Sequence, residues 1–187
     1  MKHLLNQAIQ DGDTAALKIF LELGAHPDYP DENGVFPLAA AIQSDNKKAQ
    51  EILLKYGANP NLKNIIGMPV LVLACFYDRD ISCLLAYGAE TNTKSLEGIT
   101  PLMCSILRAN VSNTAQLLKA GAKVSPMELN FAQNRGGKAP EDSPKFQIYK
   151  MVALASDNQT ILNMKRVENL SSVNSYSYDF SMKSPFF

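Results

Sequence analysis

The side chains best suited to covalent or metal chemistry in this 187-residue chain are three cysteines and two histidines. A thiol becomes a nucleophile when a histidine within hydrogen-bond reach takes its proton. Here Cys75, Cys83 and Cys104 stand far along the chain from His3 and His26. The cysteine spacings of 8 and 21 also fail the paired C-x-x-C pattern of a zinc site. Gly136-Gly137 has no strand context that would make it a phosphate-cradling loop, and Glu141-Asp142, between Pro140 and Pro144, reads as a solvated turn. The expectation is therefore no catalytic residue, no metal and no cofactor. An odd number of cysteines without paired spacing points to a reducing compartment, where thiols serve as small packing groups.

The bulk composition narrows the class of partner. Lys plus Arg equals Asp plus Glu at 18 each, which argues against a binder of nucleic acid or of an anionic membrane surface. No apolar run approaches the ~20 residues that span a bilayer. The first residues, MKHLLNQAIQDGD, lack the apolar core and small-residue site of a secretory signal, so a cytoplasmic location is expected. A hydrophobic content of 46% is enough for the bulk of the chain to fold, as one domain.

The elements that would position any site are most legible between Gly98 and Ala122. Thr100 can cap a helix with its hydroxyl, and Pro101 fits the first helical position, where the missing N–H would be unpaired anyway. Leu102, Ser105, Ile106 and Ala109, then Ala115, Leu117 and Leu118, recur at helical spacing on either side of a polar break at Asn110. Gly121 sits where a helix needs positive φ to stop. This predicts two short antiparallel helices, which cannot bury their apolar face alone. The unit recurs. Gly-Ala closes it at Gly24-Ala25, Gly57-Ala58, Gly88-Ala89 and Gly121-Ala122, with spacings of 33, 31 and 33, and Pro37, Pro69 and Pro101 are 32 apart. Gly34, Gly67 and Gly98 stand three, two and three residues before those prolines. A period near 33 marks a stack of repeats.

On these residues the chain resembles the ankyrin repeat family. Thr100-Pro101-Leu102 with Leu117-Leu118 and Gly121-Ala122 matches the family motif most closely, and Phe36-Pro37-Leu38 with Leu53-Leu54 and Gly57-Ala58 nearly as well. The resemblance implies an all-α solenoid of helix-turn-helix units with short finger loops. The units fall at 1–25, 26–58, 59–89 and 90–122, with a divergent, fingerless unit at 123–156 closing the stack. Residues 157–187, rich in Ser and poor in periodic aliphatics, read as a flexible tail, although they carry Tyr176, Tyr178, Phe180, Phe186 and Phe187. In the third unit the proline register puts Met68 in the place of Thr and Leu71 in that of the family's His. It leaves one residue missing, which is expected in the turn Tyr77–Asp80. The helix VLVLACFY of that unit is apolar almost all round, which is unusual for a helix with an open face.

Such stacks dock partners on the fingers and on the exposed face of each first helix. Carried over by the proline register, the outward residues are Ala40, Gln43 and Ser44, then Val72, Cys75 and Phe76, then Cys104, Leu107 and Arg108. With the finger tips, the middle of this surface becomes an apolar strip of Ile65, Ile66, Val72, Phe76, Leu96 and Leu107 beside Arg108. An apolar patch rimmed by polar residues marks a partner site, unless the final helix or the tail covers it. The resemblance thus implies a non-catalytic, monomeric protein-interaction module, an adaptor or inhibitor of another protein. Composition, compact stack and tail also resemble ankyrin-type effectors of intracellular bacteria, exported into a host cell. The alternative is an enzyme with a small catalytic appendage in 123–187, which would require a convergent polar cluster there.

Overall fold

The computed structural model describes the backbone of residues 2–171 and the side chains of residues 4–159. Among the described residues the regular elements are ten helices: α1 (Lys2–Gln10), α2 (Thr14–Glu22), α3 (Pro37–Gln43), α4 (Lys47–Lys55), α5 (Val70–Phe76), α6 (Ser82–Ala86), α7 (Pro101–Arg108), α8 (Val111–Lys119), α9 (Pro126–Gly136) and α10 (Pro144–Ser171). First helices pack on first helices, α1 on α3, α3 on α5, α5 on α7 and α7 on α9. Second helices form the other layer, with α2 on α4 and α8 on α10. The fold is an all-α helical stack.

Local chemistry sets the helix ends. Gly24, Gly57, Gly88 and Gly121 all lie between φ 84 and 88, where a side chain would be strained, so each closes a second helix. Thr100 Oγ1 accepts from Met103 N, and Asn46 and Asn110 cap α4 and α8 through Ala49 N and Asn113 N. Phe36 caps α3 without any side-chain hydrogen bond, as its lack of a hydroxyl requires. Ser125 and Glu128 form a capping box at α9, each satisfying a backbone N–H of the other.

The third unit departs from the proline register. Gly34, Gly67 and Gly98 each precede a residue at positive φ (Asp45, Asp78, Ala109) by eleven positions. Pro37 and Pro101 are first helical residues, whereas Pro69 is the N-cap of α5 and Val70 takes the first helical position. The finger glycine, not the proline, keeps the register. Gly67 to Gly88 is accordingly two residues shorter than Gly34 to Gly57. The loss falls after Asp78, where α6 has five residues against nine in α4 and in α8. The deletion therefore shortens the second helix, and the Tyr77–Asp78 turn stays intact. Val72, not Leu71, occupies the position of the family's histidine.

The C-terminal unit differs in a second respect. Gly137, the cap of α9, has φ −61, so no positive φ calls for glycine there. Gly136 is buried, and a methyl on it would meet the Lys145 carbonyl and Tyr149 Cβ at less than contact distance. Glycine is needed for the close approach of α10. This last helix runs past the expected unit boundary at 156 and continues to Ser171. Residues 172–187, with the five tail aromatics, lie outside the described residues.

Candidate interaction surface

Two columns of polar contacts hold neighbouring units in register. Four residues after Gly24, Gly57 and Gly88 stand Asp28, Asn61 and Asn92. Asp28 accepts from Asn59 N, Asn61 accepts from Glu90 N and donates to Gly88 O, and Asn92 accepts from Lys123 N and donates to Gly121 O. The second column is formed by arginines. Arg79 Nη2 donates to Gln43 O at 3.3 Å, Arg108 Nε to Phe76 O at 2.6 Å and Arg135 Nη2 to Leu107 O at 3.1 Å. Gln43, Phe76 and Leu107 each lie nine residues past a finger glycine, in the last turn of a first helix. That turn leaves carbonyls unpaired and carries the negative end of the helix dipole. The third, fourth and fifth units thus each clamp the one before. The Asp/Asn column, which the sequence reading missed, has a periodic residue type as its signal; the arginine column has none, because Arg79, Arg108 and Arg135 do not share a repeat position.

These contacts leave one face open. Position six after each finger glycine (Ala40, Leu73, Cys104) is buried, so in α3, α5 and α7 the exposed side chains are those of the last turn. In α5 those residues are Phe76 and Tyr77, both 40% exposed, and in α7 Leu107 is 42% exposed. Val72, expected on the strip, is 0% exposed, and so is Cys75. A one-residue change of register turns a helix by about 100°, which takes both side chains from the open face into the contact between units. Val72 therefore leaves the candidate set, and Tyr77 enters it.

The fingers supply the rest. Ile65, Ile66 and Leu96 are 74%, 63% and 81% exposed. Ile65 and Leu96 also lean on the preceding finger: a Cβ on Gly34 would come within 2.7 Å of Ile65 Cγ2, and one on Gly67 within 2.5 Å of Leu96 Cγ. Glycine at these two positions lets each finger lie along the last. Arg108 packs its guanidinium over the Phe76 ring, 4.9 Å from the centroid, and so braces the strip as well as rimming it.

The thiols stand apart from this surface and from one another in character. All three cysteines are free. Burial pushes the Cys75 thiol far up, helped by nearby Cys104 and Asp78, and pushes Cys104 to about 11, with Arg108 opposing. Half-buried Cys83 is raised too, first by burial and then by Glu51 and Asp80. A raised pKa leaves less thiolate at a given pH. At pH 8, iodoacetamide should therefore modify Cys83 slowly and leave Cys75 and Cys104 intact until denaturant is added. Peptide mapping that finds Cys75 alkylated as fast as Cys83 in the folded chain would contradict its burial. Among the described residues no cluster of three or more His, Cys, Asp or Glu side chains could hold a metal ion, and no helix is long and apolar enough to cross a membrane.

Residues 33–65 match the ankyrin repeat family model. The chain is also similar to the ADP-ribosylation factor GTPase-activating protein AGD4 of Arabidopsis thaliana, 38% identical over 68 residues that make up 36% of this chain and 9% of that protein. It is similar to the human 2-5A-dependent ribonuclease, 36% identical over 73 residues, 38% of this chain and 10% of the ribonuclease. Human BCL-6 corepressor-like protein 1 is 36% identical over 70 residues, 37% of this chain and 4% of its own length. The chain spans a tenth or less of the length of these relatives. The finger, helix pair and closing glycine of the matched segment recur along the stack, and ankyrin repeats generally mediate protein–protein interaction. Within residues 33–65 the chain carries an ankyrin repeat.

Proposed function

We propose that the chain is a non-catalytic, monomeric interaction module that takes a partner protein on the finger side of the stack, as adaptor or inhibitor. The observation that carries this is the uncovered strip of Ile65, Ile66, Phe76, Tyr77, Leu96 and Leu107, which repeats in register over the third and fourth units. Exposed apolar side chains recurring over two units are costly in water and favour a partner site. The described part of α10 packs on α8 and α9, in the other helix layer, and leaves the strip open. With three free thiols the module suits a reducing compartment. In the effector form of this reading, that compartment is the cytoplasm of a host cell.

The enzyme alternative requires a convergent polar cluster in 123–187. Among the described residues of that segment the buried carboxylate, Glu128, accepts hydrogen bonds from Thr100 Oγ1, Ser125 N and Ser125 Oγ. Those bonds tie the fifth unit to the fourth and engage the carboxylate structurally.

The test is a pair of substitutions read two ways. Phe76→Ala and Ile66→Asp should each move the melting temperature by no more than about 4 °C, equivalent to roughly 1 kcal/mol in a domain of this size. Each should also lower affinity-capture yield of the partner at least tenfold, the loss expected of a central apolar anchor (~1.4 kcal/mol or more). Unchanged capture by both variants, or a collapse of the melting temperature, would show that the strip is not the docking face.

A further inference from the structure

We propose that residues 172–187 seat their aromatic side chains on the same apolar strip and compete there with the partner. This rests on the reading of the strip as a docking face and adds its regulation. Three observations lead to it.

The direction of α10 is the first. It starts where Gly136 meets Lys145 and Tyr149, at the turn end of the stack, and at Gln159 it reaches the base of the loops, where Gln159 Oε1 accepts from Val124 N at 3.0 Å. The helix then continues to Ser171, about 18 Å further at 1.5 Å per residue. It therefore delivers the following chain on the finger side. Reach is the second. The sixteen residues 172–187 span up to ~50 Å when extended, and the strip lies one and two units before α9, at about 10 Å per unit. Chemistry is the third. Tyr176, Tyr178, Phe180, Phe186 and Phe187 are interleaved with serines and with one Asp and one Lys. An aromatic-rich segment whose single Asp and Lys side chains balance matches a strip of Ile, Leu, Phe and Tyr side chains, and Phe186-Phe187 follow Pro185, which limits the conformations lost on seating.

Tethering makes this competition effective, because a linked segment acts at an effective concentration in the millimolar range. The experiment uses the full-length chain and a synthetic, fluorophore-labelled peptide of residues 172–187 as probe. The full chain carrying Phe180→Ala, Phe186→Ala and Phe187→Ala should bind the peptide at least tenfold more tightly than the wild-type chain. Adding Phe76→Ala should remove that binding. In isoleucine-methyl NMR spectra the same triple variant should shift the Ile65 and Ile66 signals and leave buried Ile9, Ile42 and Ile81 in place. Equal peptide binding by the two full chains, no binding by either, or binding that survives Phe76→Ala overturns the proposal. Partner capture without peptide binding refutes the seated tail alone. Peptide binding without partner capture by the triple variant supports the seat and refutes the partner reading.

Discussion

Replacing Val72 by aspartate is expected to unfold the third unit, at a cost of at least about 3 kcal/mol, while Ile66→Asp, six residues earlier, leaves stability nearly unchanged. An isolated carboxylate taken into an apolar interior loses its hydration without a partner, and uncompensated buried charges typically cost about 3–5 kcal/mol. Val72 is fully buried in α5, which packs on α3 and α7, whereas Ile66 stands in solvent at the finger tip. Both sites were placed on the open strip, Val72 by the proline register and Ile66 as a finger tip, so the contrast tests the register of α5. Urea unfolding should show the Val72→Asp midpoint well below that of the parent, with the Ile66→Asp midpoint at the parental value. A Val72→Asp chain as stable as the parent would put Val72 back on the surface and restore the proline frame.

The second large effect is expected at Gly136. Gly136→Ala should destabilise the fifth unit by about 1–3 kcal/mol, the usual penalty of overpacking. The neighbouring atoms are the Lys145 carbonyl and the Tyr149 Cβ, not the free end of a flexible side chain. The methyl can be accommodated only by moving α10 away from α9. Ile148 and Val152, buried on α10, would lose packing with it. Hydrogen exchange should therefore quicken over α9 and α10 and stay at parental rates in α1 to α4. By contrast, Gly137→Ala would test only the helix end, since φ −61 suits alanine, although a Cβ there would come within 2.8 Å of Gln133 O. If Gly136→Ala leaves exchange in α10 unchanged, the close approach of the two helices is wrong.

Both predictions arise where local signals and packing part company. The repeat period, the helix pairs and the glycine-closed ends of the second helices were legible because single residues fix them. Glycine at φ near 85 ends a helix wherever it occurs, and Ser, Thr or Asn before an apolar run starts one. The fingers were legible for the same reason, and with them the exposed Ile65, Ile66 and Leu96. The face of α5 was not. Pro69 is equally at home at the N-cap and at the first helical position, since neither needs its N–H and both accept its φ. Local chemistry therefore allows two registers one residue apart, and Gly67, two residues before its proline where the other units have three, was the sign of the conflict.

The all-apolar VLVLACFY run has the same explanation. In the glycine register, Val70 to Cys75 are all buried, with α5 packed on α3 and α7, and only Phe76 and Tyr77 emerge. A run without polar residues has no amphipathic phase to reveal its orientation, so nothing in it could correct the proline frame. The arginine clamps were hidden for a related reason. A guanidinium on a long side chain can reach the same carbonyl from different backbone positions, so the contact recurs through the stack while the residue does not.

By itself the amino-acid sequence determined that this protein is a row of helix pairs closed by glycines, because those choices depend on one or two residues and their own backbone. Only the tertiary structure decided which side chains of the third unit face solvent, why Gly136 is glycine, and how far α10 runs. Each of these depends on how near a neighbouring helix lies, a distance set by packing between units that are remote in the chain.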